Sequence, residues 1–439
     1  MNLSTDRPAG GYRWTIVALL FFATTINYLD RQVIGLLKPA LEDEFTWTET
    51  DYSRIVMAFS ASYALGLLLF GRLIDRIGSK MGYVISIIVW SIAAILHATA
   101  RSTFGFGAMR ALLGLGEAGN FPAAIKSVAE WFPKKERALA TGIFNSGANI
   151  GAVVAPIMVP WILGSYGWEE AFIITGAIGF IWLAFWWFIY EVPARQKRLS
   201  QAEFQYIHSD NEPEVAAGES ISWGRLFSIR QTWAFILGKF LTDPIWWFFL
   251  FWLPSYFSTT FNLDLKKPSL PLVVVYTATT IGSIGGGYLS GYFIKRGWPV
   301  FRARKISMLI FAIAVVPITL AQFATGIWEA VALISLAAAA HQAWSANIFT
   351  TASDMFPKRA VSSVVGIGGM AGSIGGILFP ILVGSLLDSY KEAGNLTGGY
   401  NLLFIICGCA YLIAWGMMHL FAPRMEPVQL ESHEPEPVA

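Results

Sequence analysis

Charge is what this chain has least of. Only 60 of its 439 residues are Lys, Arg, Asp or Glu, 14% in all, where a soluble globular chain carries about a quarter. With a hydrophobic share of 55% and a mean hydropathy of +0.53, that scarcity excludes a soluble enzyme and a disordered chain. Cysteine is almost absent: Cys407 and Cys409 stand two apart in one apolar segment, face different sides of a helix, and predict neither a disulfide nor a metal site. No GxxxxGK[ST] loop is present, so ATP hydrolysis has no support. A His/Cys/carboxylate cluster at metal spacing, a GxSxG elbow and a repeated selectivity-filter loop are missing too. The expectation is a protein that is not an enzyme and holds no cofactor. A net charge of +2, with the basic residues in short loops, gives no reason to expect a nucleic-acid partner. The first apolar segment is long enough to span a bilayer and lacks a small-residue cleavage site, which predicts a retained helix.

What the chain has is long apolar runs. At about 20 residues per span, the breaks predict twelve: 14–36, 52–72, 82–100, 104–125, 138–161, 169–190, 231–257, 271–293, 305–324, 328–350, 362–386 and 401–422. The expected organisation is a terminus (1–13), a six-helix bundle (14–190), a polar linker (191–230) with Glu203, Asn211, Pro213 and Glu214, a second bundle (231–422) and an acidic tail (423–439), with disorder expected from Met425 onward. Of the Lys and Arg outside spans, 22 fall on one side and 6 on the other, which predicts both termini and the linker on the cytoplasmic face of the inner membrane. The halves are also related. Residues 132–159 align without a gap to 356–383, pairing Phe132 with Phe356, Pro133 with Pro357, Gly142 with Gly366, Gly151 with Gly375 and Pro156 with Pro380. The expected fold is an all-α integral membrane protein of twelve transmembrane helices in two pseudo-symmetric six-helix bundles. That is the architecture of a rocker-type secondary transporter.

Charges inside spans need a reason, because each costs at least about 2.5–3.5 kcal/mol near the bilayer centre. Span one carries Asn27, Tyr28, Asp30 and Arg31; span four carries Arg110 and Glu117, two turns apart on one face, with Asn120 beyond. Packing alone would pair Asp30 with Arg31 and Arg110 with Glu117, yet a buried pair is a poor source of stability. A cavity holding Arg31 and Arg110 instead suits a carboxylate, which a guanidinium fork binds through two parallel hydrogen bonds. Asp30, expected nearer the outer end of its span, and Glu117 can then exchange protons. Lys239 and Asp243 are one turn apart and can pair with each other, so they read equally as structure or site. His341 stands at the repeat offset from Glu117, followed by Gln342 and Ser345 as candidate sugar partners. Tyr63, Asn145, Asn149 and Tyr276 are further cavity candidates, and Trp246 and Trp247 read as a sugar platform or as lipid-facing packing. The segment GRLIDRIGSK, residues 71–80, places Asp75, Arg76 and Gly78 in a tight turn able to clip helix ends and hold one conformation; its counterpart in the second half lacks the Asp.

GRLIDRIGSK and the twelve spans with their linker resemble the major facilitator superfamily. NYLDR in span one, RALLGLGEAGNFPAA in span four and WFPKKERALATGIFNSGANIG after it resemble its anion:cation symporter branch. HQAWSANIFTTASDMFP and DMFPKRAVSSVVGIGGMAGSIGG look most like the bacterial hexuronate transporters of that branch. The resemblance implies Asp30 and Glu117 as proton-coupling acids, Arg31 and Arg110 as carboxylate-binding and coupling arginines, and Tyr28 and Tyr63 as cavity tyrosines. It implies a monomer in membrane lipid whose partners are a sugar-acid anion and a proton. Where the aldonate importers share a Gln in span five and an Asn in span eleven, this chain has Ala148 beside Asn149 and the pair Gly368–Gly369, which reads as room for a bulkier ring. The expectation is proton-driven import of galacturonate or glucuronate. Aldonate import, anion exchange or uniport, and a non-transporting receptor are the alternatives.

Overall fold

The computed structural model describes residues 10–47, 49–210, 221–263 and 270–428. Residues 1–9, Asn211, Pro213 and Glu214 of the expected linker, and residues 429–439 of the expected tail lie outside it. Twelve helical spans run through the described residues: α1 (Tyr12–Phe45), α2 (Glu49–Ile77), α3 (Ser79–Leu96), α4 in two pieces (Thr103–Glu117 and Asn120–Trp131), α5 (Lys134–Ser165), α6 (Trp168–Ile189), α7 (Arg230–Phe261), α8 (Leu270–Lys295), α9 (Val300–Val315, extended by a 3-10 stretch, Val316–Phe323), α10 (Ile327–Met355), α11 (Val361–Glu392) and α12 (Leu396–Phe421). Several outrun the expected spans. The 34 residues of α1 reach about 50 Å, well beyond a hydrocarbon core of about 30 Å.

Eight of these, α2, α3, α5, α6, α8, α9, α11 and α12, are long and apolar enough to cross a membrane by length and composition. The other four, α1, α4, α7 and α10, take the same places in each half and hold Asp30, Arg31, Arg110, Glu117, Lys239, Asp243 and His341. Large apolar side chains cover the outside, among them Ile157 at 72% exposure and Phe188 at 76%. So extensive an apolar surface is one that lipid, not water, covers.

The register of the repeat reappears as contact. Phe132 and Phe356 both end a span in extended conformation. A Cβ on Gly142 would lie 2.2 Å from the Ser283 carbonyl oxygen of the other bundle, and one on Gly366 would lie 2.2 Å from that of Leu67. Within each bundle, Gly151 meets the Thr25 carbonyl of α1 and Gly375 meets the Phe240 carbonyl of α7. These glycines are spent on close backbone approach. The bundles meet through α2 against α11 and α5 against α8, and the tight crossings sit toward the end that carries both termini. Gly287, whose Cβ would fall 2.1 Å from the Ala138 carbonyl oxygen, marks one crossing. Gly287→Ala is expected to hold this end ajar and cut transport by about tenfold or more, with helicity by circular dichroism unchanged; wild-type transport would show that the crossing yields without cost.

One expectation about a segment needs correction. Asp75 and Arg76 do not lie in a turn: α2 runs to Ile77, and Gly78, at φ +85°, is the one residue between α2 and α3. The helices reverse within that residue because glycine accepts a left-handed φ. The linker is partly docked. Its helix Gln201–Ile207 buries Glu203, which accepts from the backbone N–H groups of Tyr12 (3.1 Å) and Arg13 (3.1 Å). Arg13 pairs with Glu203 at 3.0 Å and with Glu136 at 2.9 Å. A carboxylate at the free N–H groups of a helix start is favoured by the helix dipole.

Candidate functional site

A cavity of about 760 Å³, its open mouth included, lies between the bundles. Its first wall comes from α1 and α2 with Tyr28, Arg31 and Tyr63, and from α5 with Asn145 and Ala148. Arg31 is the centre of that wall. Its guanidinium lies 4.7 Å from the ring centroids of Tyr28 and Tyr63 and 5.1 Å from that of Phe59, an aromatic setting that stabilises a cation. Behind it, Glu117 of α4 accepts from Nε at 2.9 Å, and Nη2 lies 2.9 Å from the same carboxylate oxygen.

This pairing differs from the one the sequence suggests. Arg31 pairs with Glu117, not with its neighbour Asp30, because residues adjacent on a helix do not share a face. Arg110 pairs with neither acid: its Nη2 donates to the Arg31 carbonyl at 3.3 Å, and its guanidinium lies over Phe59 at 4.6 Å. Its Nε and Nη1 are buried without a hydrogen-bond partner. Asp30 is not at a wet surface. It is 2% exposed, and both carboxyl oxygens are buried without a hydrogen-bond partner; the nearby Thr175 hydroxyl is turned to the Phe172 carbonyl at 3.4 Å. Arg110, Glu117, Asp30, Asn27 and Asn149 therefore stand behind the cavity wall, not in it. Asn27 accepts from Arg31 Nη2 at 3.5 Å, while Asn149 Nδ2 has no partner. Tyr276 also misses the wall and donates to the Phe249 carbonyl at 3.3 Å.

The second wall is richer than the sequence indicated. Lys239 and Asp243, one turn apart on α7, both line the cavity, paired at 2.7 Å, with the Lys239 ammonium 3.9 Å from the Phe349 ring centroid. A second ion pair thus faces the cavity across from Arg31 and Glu117. Trp246 and Trp247 belong to the wall and not to the lipid face. Trp246 stacks on His341 with centroids 5.4 Å apart and planes within 3°. His341 Nδ1 meets the Tyr411 hydroxyl at 2.5 Å, which fixes the ring's orientation. Gln342 and Ser345 complete this wall. Of the two glycines read as extra room, Gly369 lines the cavity, whereas Gly368 is filled by the Phe235 ring, 2.2 Å from where its Cβ would lie.

Below the cavity, at the end that carries both termini, charged groups tie the bundles together. The buried Asp75 side chain pairs with Lys126 at 3.1 Å and accepts from the N–H groups of Ser362 (3.2 Å) and Ser363 (2.7 Å), in the first turn of α11. Arg76, next to it, is exposed. Opposite, Asp354 at the end of α10 takes Arg304 of its own bundle at 2.8 Å and Arg137 of the other at 3.7 Å. Arg304 also donates to the Lys134 carbonyl at 2.7 Å and Arg137 to that of Ser353 at 2.8 Å. So the acid that the second-half loop lacks is supplied from α10. Asp354 stands at the repeat offset from Glu130, a signal that could have found it in the sequence. Asp75→Asn removes the charge facing the α11 dipole. It is expected to raise the reactivity of a cysteine probe placed at this end by about three- to fivefold; unchanged reactivity would reduce Asp75 to a packing residue.

A membrane protein of two repeated six-helix bundles, with a cavity between them and charge clusters closing one end, has the anatomy of a transport protein. The chain belongs to the Major Facilitator Superfamily, whose model matches residues 20–380 and 302–438; it is a multi-pass membrane transporter and not an enzyme. It is 31% identical over 438 residues to the hexuronate transporter of Escherichia coli (strain K12), covering 98% of this chain and 99% of that protein. It is 34% identical over 287 residues to the galacturonate transporter of Dickeya chrysanthemi, covering 65% and 83%. Among solved structures, the proton:xylose symporter XylE bound to 6-bromo-6-deoxy-D-glucose superposes with a TM-score of 0.71 at 15% identity, covering 94% of this chain and 97% of that one. That last likeness concerns the fold alone.

Proposed function

We propose that the protein is a proton-coupled symporter that imports a sugar-acid anion, a hexuronate such as galacturonate or glucuronate, by alternating access. In this reading it works as a monomer in the inner membrane, with both termini cytoplasmic and the proton as its only coupling species. The observation that carries the reading is Arg31, presented to a cavity shared by both bundles while a buried acid, Glu117, holds two of its donors. A substrate carboxylate and Glu117 compete for the same fork. When Glu117 takes a proton its hold on the fork weakens, and Arg31 is released to the substrate. Proton and anion then favour each other's binding, a reciprocal coupling between two sites. His341, Gln342, Ser345 and Asn145 offer hydroxyl partners on the remaining walls, and Trp246 and Trp247 a stacking surface. Asp30 is a second acid for a second proton. Moving one anion inward against 100 mV costs about 2.3 kcal/mol; one proton cancels that and two reverse its sign. The names of the two relatives above support the hexuronate class.

A second reading, import of a linear sugar acid, is favoured by one observation: Phe235 fills the space at Gly368 that a ring would have used. Uptake of labelled galacturonate, glucuronate and galactonate into proteoliposomes, with pH gradient and voltage set separately, tests both. Accumulation of a hexuronate that follows the pH gradient is the expected result. Preference for galactonate would establish the second reading, and uptake indifferent to pH would replace symport by exchange or uniport.

A further inference from the structure

The floor of the cavity is also where the closed end begins. Asn145 of α5 and Gln342 of α10 both line the cavity, and both are about 5% exposed. Asn145 Nδ2 donates to Gln342 Oε1 at 2.9 Å and to Ser283 Oγ of α8 at 3.2 Å; Ser283 Oγ donates onward to the Gly142 carbonyl at 2.8 Å. Each of these bonds crosses from one bundle to the other. The cross-bundle bonds of Asp75, Arg137 and Arg304 lie nearer the termini, and none of those side chains lines the cavity. The Asn145–Gln342 pair therefore does two things at once: it holds the bundles together and it faces the substrate space.

We propose that Asn145 is a substrate-sensing latch, whose bond to Gln342 a hydroxyl of the bound sugar acid takes over, releasing the end that carries the termini. This rests on the sugar-acid reading above. A hydroxyl is both donor and acceptor. It can donate to Gln342 Oε1 and accept from Asn145 Nδ2, so the direct bond breaks and the two amides move apart by about the width of the inserted oxygen, with no buried polar group left unpaired, the outcome that would be costly. A carboxylate without a hydroxyl at that place can occupy Arg31, but it cannot make the exchange. Recognition of the sugar and opening of the inner end are then one event at one amide pair, and Asn145 is a positioning residue in the opening step.

The test is a distance measurement in the full-length protein, with Cys407→Ala and Cys409→Ser and spin labels placed at Lys197 and Arg296, both exposed at the end that carries the termini. Without ligand, Asn145→Ala is expected to raise the ratio of open to closed at this end by about five- to tenfold. Galacturonate should widen the distance in the parent protein and add nothing in the variant, while cyclohexanecarboxylate should leave the parent closed. Gln342→Ala, which leaves the Asn145–Ser283 bond in place, should open this end by a smaller factor, and the double variant should equal Asn145→Ala alone, not the product of the two. An unchanged ligand-free ratio overturns the latch even in a protein that imports galacturonate. So does a variant that galacturonate still opens by the parental factor, which is what a merely structural amide would give. A protein that ignores every sugar acid in uptake, yet opens on Asn145→Ala, overturns the substrate reading and supports the latch.

Discussion

Glu117→Gln is expected to keep substrate binding and exchange while losing all accumulation driven by a pH gradient. The amide oxygen can still accept from Arg31, so the wall of the cavity stays formed, but the side chain no longer carries a proton. With a gradient of one pH unit, each coupled proton is worth about a tenfold concentration ratio. The parent protein should therefore accumulate galacturonate about tenfold or more in proteoliposomes, and the variant should stop near equality. Counterflow, in which labelled substrate enters against unlabelled substrate inside, should continue at a comparable rate. The two assays separate coupling from recognition. Full accumulation in Glu117→Gln would move the proton to another acid, and Asp30, buried with no partner for either oxygen, is the one to test next.

The second large effect is expected at Arg31. Arg31→Ala removes the cavity's guanidinium and leaves the fully buried Glu117 carboxylate without its partner. Breaking a buried pair on one side costs about 3–5 kcal/mol, and the substrate loses its two-pronged contact as well. Uptake should fall by about a hundredfold or more. Arg31→Lys keeps the charge but not the planar fork, and should recover only part of the affinity. Trp246 and Trp247 line the cavity, so quenching of tryptophan fluorescence by galacturonate reads binding without transport. Parental quenching in Arg31→Ala would place the carboxylate elsewhere, with Lys239 as the next cation in the wall.

Much of the site was legible because lipid makes charge conspicuous. Arg31, Arg110, Glu117 and Asp30 stood out against apolar neighbours, and each is buried or nearly so in the fold. Their pairing was not legible. Spacing along one helix suggested Arg110 with Glu117, whereas the approach of α1 to α4 brings Arg31 to that acid. Spacing also left Lys239 and Asp243 even between a local ion pair and a site, since nothing in one helix says which neighbour it faces. Asp354 escaped notice because its partners, Arg304 and Arg137, are 50 residues away on α9 and over 200 away on the other bundle.

The apolar runs by themselves determined a membrane protein of twelve spans, because a bilayer demands long helices whose backbone is satisfied within the segment. The gapless repeat determined its two-fold plan, and the glycines in register determined where helices approach closely. Only the tertiary structure decided which polar residues share the cavity, which stand behind it, and which end is closed. Those are properties of helix crossings, and a crossing is set by side chains from two segments that the chain order keeps apart.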